Sequence, residues 1–155
     1  SGLTPLEIRN RVMQTSDPVA ALKGKTINSG RINAYNLLTN TIPERNEPKP
    51  EDWETVSVEA WESNHPYADN ANVVRTFSVE GAKFIRLRVS KFDLETRYDY
   101  LEIKDANGNS VDKVTGSGED HASLYAEGDT ITVTFKSDRS VNKWGFSISD
   151  VDVQF

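Results

Sequence analysis

Phe92-Asp93-Leu94-Glu95-Thr96-Arg97-Tyr98-Asp99-Tyr100-Leu101-Glu102-Ile103-Lys104-Asp105 runs directly into Ala106-Asn107-Gly108-Asn109, and its reading decides the fold. Apolar and polar residues alternate from Tyr98 to Ile103, which predicts a half-buried strand over 98–104. Asn107-Gly108 is the strongest short-range signal for a hairpin. Glu95 and Asp99 flank the point where a loop becomes that strand, and a third acid, Asp138, follows another alternating run that ends in Phe135-Lys136-Ser137. These three carboxylates are the centre of the expected site.

Outward from this stretch the texture is all-β. Strands are expected over 54–61, 73–79, 82–92, 110–115, 122–126, 130–137 and 144–155, separated by turn signals at Asn70, Glu80-Gly81, Gly116 to Gly118 and Glu127-Gly128-Asp129. Short strands at this spacing predict a sandwich or barrel. Its core is expected from Phe84, Ile85, Leu87, Val89, Phe92, Leu101, Ile103, Val114, Leu124, Ile131, Val133, Phe135, Phe146 and Ile148.

The 155 residues fit one domain with an appendage, and 27% charged against 36% hydrophobic residues read as a globular chain. A net charge of -6 spread along the sequence argues against a nucleic-acid backbone as partner and is compatible with hard cations. No apolar run approaches the length of a membrane span. The absence of cysteine excludes disulfides, thiol catalysis and thiolate metal sites. Cysteine-free chains are common among bacterial secreted proteins, where calcium can act as the staple.

Residues 3–39 have a different character. Thr4-Pro5 followed by Leu6, Ile8, Val12 and Met13 predicts a helix with a capping threonine and Pro at its first position. Asp17-Pro18 ends it. A link holding Lys23-Gly24-Lys25 and Asn28-Ser29-Gly30 leads to a second short helix over 31–38, with Ile32, Tyr35 and Leu38 on one face. Two such helices need further cover, from the sandwich or from a partner. Residues 40–52, with Pro43, Pro48 and Pro50 among charges, read as a linker, and 53–155 as the β domain.

Two resemblances sharpen this reading. Leu3-Thr4-Pro5-Leu6-Glu7-Ile8-Arg9 and Gly24-Lys25-Thr26-Ile27-Asn28-Ser29-Gly30-Arg31-Ile32-Asn33-Ala34-Tyr35 resemble the last two helices of a subtilisin-like serine protease domain. That likeness implies that a catalytic serine, histidine and aspartate belong to a parent protease upstream, and none to this fragment. Tyr98-Asp99-Tyr100-Leu101-Glu102-Ile103, Ile131-Thr132-Val133-Thr134-Phe135-Lys136-Ser137-Asp138, Trp144-Gly145-Phe146 and Glu62-Ser63-Asn64-His65-Pro66-Tyr67 resemble a CUB domain, an antiparallel β-sandwich of jelly-roll type found in extracellular proteins. The usual CUB disulfides are missing here, and the loop between Glu95 and Asp99 is short.

The CUB resemblance implies that Glu95, Asp99 and Asp138 coordinate one calcium ion. Calcium takes six to eight hard oxygens, so three carboxylates from two loops suit it; the Asn142 amide and carbonyls near Arg139 to Val141 are natural further ligands, with Asp93 and Asp105 in reserve. The plainer reading is that the acids are solvated and pair at the surface with Arg97 or Arg139. The only two histidines, His65 and His121, show no nucleophile pattern, and Gly116-Ser117-Gly118 reads as a turn rather than a phosphate loop.

The expected function is therefore a non-catalytic, calcium-binding C-terminal module of a secreted subtilisin-like endopeptidase, binding substrate or surface or stabilising the protease. Its expected partner is the remainder of the protease domain. Two alternatives stay open: one piece of an assembled active protease, or a carbohydrate-binding sandwich using Trp144 and Tyr98.

Overall fold

The computed structural model describes residues 2–19, 22, 25–44 and 46–155; Lys23 and Gly24 of the expected link lie outside them. The chain forms two compact units, residues 1–47 and 48–155. No helix among the described residues is long and apolar enough to cross a membrane.

In the first unit α1 (Pro5–Thr15) starts as expected, with a full capping box: the Glu7 amide donates to the Thr4 hydroxyl while the Glu7 carboxylate accepts from the Thr4 amide. Two short strands, β1 (Asp17–Pro18) and β2 (Gly30–Arg31), pair antiparallel. The second helix, α2 (Ala34–Thr39), is shorter than expected because Asn33 caps it: the Asn33 side chain accepts from the Asn36 amide. Arg31 and Ile32 therefore precede the helix. Asp17 accepts from the Asn33 and Asn36 side chains, and Arg11 donates to the Leu38 carbonyl. Polar contacts hold this unit, while Leu6, Ile32, Tyr35 and Leu38 stay exposed.

The second unit is a mainly β, antiparallel sandwich, as the sequence predicts. One sheet has the order β4 (Asn72–Ser78), β10 (Thr130–Lys136), β6 (Tyr100–Lys104), β7 (Ser110–Val114); the other has β3 (Glu54–Glu62), β11 (Gly145–Gln154), β5 (Phe84–Asp93), β8 (Ser117–Ala122), with β9 (Ala126–Glu127) also on β5. The core follows from parity. Ile131, Val133 and Phe135 of β10 and Leu101 and Ile103 of β6 point inward at every second residue. In β11 a register shift against β3 between Ile148 and Asp150 moves the inward positions from 146 and 148 to 151 and 153. Each such side chain contributes about 1.5 to 3 kcal/mol by burial.

Several details depart from expectation. Leu124, expected in the core, is exposed between β8 and β9. The strand expected over 122–126 lies earlier, because only Gly116, at φ +80, makes the turn. Gly118 is part of β8, where a Cβ would meet the Phe92 ring at 2.8 Å; its lack of a side chain lets the strand approach β5. Of the expected linker, residues 48–52 belong to the second unit: Pro50–Asp52 form a 3-10 turn, and the Lys49 main chain exchanges two hydrogen bonds with the Gln154 side chain at 3.1 and 2.5 Å. The Asn107-Gly108 hairpin forms, with Gly108 at φ +82 and the Asp105 carboxylate accepting from the Asn107 and Asn109 amides.

Candidate metal centre

Strand β6 explains why one acid is buried. Leu101 and Ile103 point into the core, so two residues earlier Asp99 points the same way and is fully buried. It sits in the turn before the strand, where the Tyr98 and Asp99 amides both donate to the Glu95 carbonyl. Thr115, just after β7, donates its hydroxyl to the Asp99 carbonyl at 2.7 Å and the Glu95 carbonyl at 3.2 Å, fixing the turn from the other side. Asp138 follows β10, and its backbone amide donates to Asp99 Oδ1 at 2.8 Å. Its own carboxylate accepts from the Ser140 amide.

The expected triad therefore comes together. One carboxylate oxygen each from Glu95, Asp99 and Asp138 lies within 4.8 Å of the others. The arrangement is acceptor-rich and short of positive charge. Among the described residues neither Arg97 nor Arg139 forms an ion pair with these acids, and the nearby Lys143 ammonium pairs with Asp93 at 3.1 Å. Glu95 Oε2 is buried without a hydrogen-bond partner. Burial, and after it the charges of Asp138 and Asp99, push the Glu95 carboxyl above its ordinary value, while Lys143 pulls the other way. A buried carboxylate oxygen without a donor, facing two more carboxylates, fits a hard cation such as calcium.

Sequence reasoning missed Tyr67. Its ring is buried against Phe135, its hydroxyl donates to Asp99 Oδ2 at 2.5 Å, and the Glu95 amide donates to that same oxygen at 3.1 Å. Burial first, and then the Asp99 hydrogen bond, push the phenol up to about 12, so it remains a donor at physiological pH. The only signal was a large aromatic beside Pro66 in an otherwise polar segment. Asn142, the expected further ligand, is exposed four residues past Asp138, and the Val141 carbonyl lies 3.5 Å from the Tyr67 hydroxyl.

A family model described as CUB domain matches residues 52–149. The chain belongs to the CUB domain family. Residues 98–109, 131–138 and 144–146, which carried the resemblance, all lie inside the matched range. The CUB unit is 33% identical over 92 residues to human "Zinc finger ZZ-type and EF-hand domain-containing protein 1", covering 57% of this chain and 3% of that protein. It is 32% identical over 88 residues to human "E3 ubiquitin-protein ligase HERC2", covering 55% of this chain and 2% of that protein. The chain thus spans a small fraction of these relatives. Among solved structures it is similar to the CUB1-EGF-CUB2 region of human MASP-1/3, with TM-score 0.50, 19% identity and 67% of this chain and 42% of that one covered. It is also similar to the MASP-1 CUB2 domain bound to Ca2+, with TM-score 0.47, 19% identity and coverage of 67% and 93%.

Other residues singled out in the CUB unit do not join the triad. Asp93 is taken by Lys143, and Asp105 by its own hairpin. Tyr98 is exposed beside the triad, one residue before the turn reaches Asp99. Trp144 is already engaged: the His65 ring stacks on it at 4.0 Å with a 9° interplanar angle, and the Lys91 ammonium lies over it at 4.6 Å. His121 packs edge-on against Phe92.

Proposed function

We propose that this chain is a calcium-holding, non-catalytic binding module at the C-terminus of a secreted subtilisin-like serine endopeptidase of bacterial type. The observation that carries the calcium reading is the buried, donorless Glu95 Oε2 facing Asp99 and Asp138. In this reading Glu95, Asp99 and Asp138 hold the ion, with Asn142 and the Val141 carbonyl as neighbouring oxygens. The ion neutralises three acids that otherwise repel and so orders the loops that carry them. A ligand that binds only the folded state stabilises it by mass action, so the module is firmest where calcium is abundant, outside the cell.

The protease context is supported by the wording of residues 3–9 and 24–35 and by the open apolar residues of the first unit, Leu6, Ile32, Tyr35 and Leu38. They would pack against the rest of the protease domain. The chain by itself is then inert toward peptides, and its work is to hold substrate, a surface or the protease.

Thermal unfolding in excess EDTA and in millimolar calcium, for wild type and Asp138→Asn, tests the calcium reading. A calcium-dependent rise in midpoint that the variant loses supports it; superimposable wild-type curves overturn it. Co-expression with a subtilisin-like catalytic domain lacking its own last helices tests the context, and failure to associate counts against it.

A further inference from the structure

The His65 ring is held at both nitrogens by groups that only accept. Nδ1 lies 2.5 Å from the Trp144 carbonyl oxygen and Nε2 lies 2.7 Å from Glu62 Oε1. A neutral imidazole carries one N–H, so either tautomer would leave one of these two short contacts without a hydrogen. Only the imidazolium serves both. The charges facing the ring are Glu62, at the end of β3, which favours the proton, and Lys91, from β5, which opposes it across Trp144; Lys143 is turned away to Asp93. The hydrogen bond to the Trp144 carbonyl, and next that to Glu62, raise the imidazole above its ordinary value.

The two partners belong to different segments. His65 lies after β3 and Trp144 just before β11, and the segments are laid together by the bonds from the Tyr67 amide to the Lys143 carbonyl, the Ser63 amide to the Phe146 carbonyl and the Phe146 amide to the Ser63 hydroxyl. We propose that His65 is a proton-operated clip: doubly protonated, it ties residues 63–67 to residues 139–144, and loss of one proton as pH rises frees the Trp144 carbonyl and loosens both segments. The sign follows from the raised imidazole. The clip is closed below the ordinary histidine range and opens as pH rises through the folded value.

The test is an NMR titration of the full chain in EDTA between about pH 6 and about pH 8.5, with His65→Phe to assign the ring and to keep its stacking on Trp144. The expected results are a His65 midpoint above the ordinary value of about 6.5 and an about tenfold fall in the protection factor of the Tyr67 amide over the same interval. In His65→Phe that protection should be low and independent of pH. A wild-type midpoint at or below the ordinary value, or Tyr67 protection that ignores pH, overturns the clip, even if the variant does not fold. Calcium affinity should fall over the same interval, a consequence that rests on the calcium reading above. If calcium binds at neither pH, that reading fails while the EDTA titration still decides the clip.

Discussion

The Tyr67 hydroxyl stands 2.5 Å from Asp99 Oδ2 and takes the Glu95 amide at 3.1 Å, so one phenol links the buried acid to the backbone of its neighbour. Tyr67→Phe keeps the ring against Phe135 and removes both bonds. The expected cost is about 1 to 3 kcal/mol, the penalty for leaving buried polar groups unsatisfied. Urea unfolding in EDTA measures it, and a change near zero would mean that water replaces the hydroxyl.

Glu95→Gln should act in opposite directions in two buffers. Without cation, the raised Glu95 carboxyl contributes stability that is present at low pH and lost as pH rises through its folded value. The amide removes that loss, so the variant is more stable than wild type in EDTA at neutral pH. In calcium it should gain less than wild type. Midpoints from four thermal scans check the crossing.

Asp152 is buried on the outer side of the second sheet, where it accepts from Arg86 Nε at 2.9 Å, Arg86 Nη2 at 2.8 Å and the Thr55 hydroxyl at 2.8 Å. Asp152→Ala leaves the guanidinium without its counter-charge and should cost about 3 to 5 kcal/mol. Arg86 also lies 4.3 Å from the Trp53 ring centre, so tryptophan fluorescence should shift in the same variant.

At Gly145 φ is +110, and a Cβ would fall 1.8 Å from the Ser63 hydroxyl oxygen. Gly145→Ala should cost about 3 kcal/mol or more through clash and backbone strain. Adding Ser63→Ala should recover only part, since Ser63 Cβ and the Asn64 carbonyl would still lie at 3.0 and 3.3 Å. Full recovery in a denaturation curve would refute the backbone part of the argument.

Hydrogen bonds from the Asn109 side chain and the turn amides hold the Asp105 carboxyl below its ordinary value of 3.8. Its contribution is therefore present above that value and lost as pH falls through the folded one. The stability difference between wild type and Asp105→Ala should be constant near neutrality and shrink in acid. A difference that grows in acid would show that the hairpin does not use the charge.

Where period and chemistry agreed, the sequence was legible. β10 alternates cleanly, and the acids at the ends of two strands stand in one cluster. Leu124 was misplaced because the polar run Gly118-Glu119-Asp120-His121 hides an edge strand paired on one side only, which needs no apolar period. Tyr67 and Thr115 escaped for another reason. Each acts through a hydroxyl whose partner is more than ten residues away, a relation that composition and spacing do not carry. Tyr98 was read as the first residue of the strand, yet the turn back to the Glu95 carbonyl delays β6 to Tyr100.

The clasp between Lys49 and Gln154 has a consequence for how the module meets its surroundings. β3 leaves that clasp and reaches the segment of His65 and Tyr67 only after nine residues, a run of about 30 Å in an extended strand. Residues preceding Lys49 thus join the sandwich at one pole, and Glu95, Asp99 and Asp138 occupy the other. Whatever the acidic pole grips is presented on the far side of a rigid spacer, beyond the reach of short flanking segments.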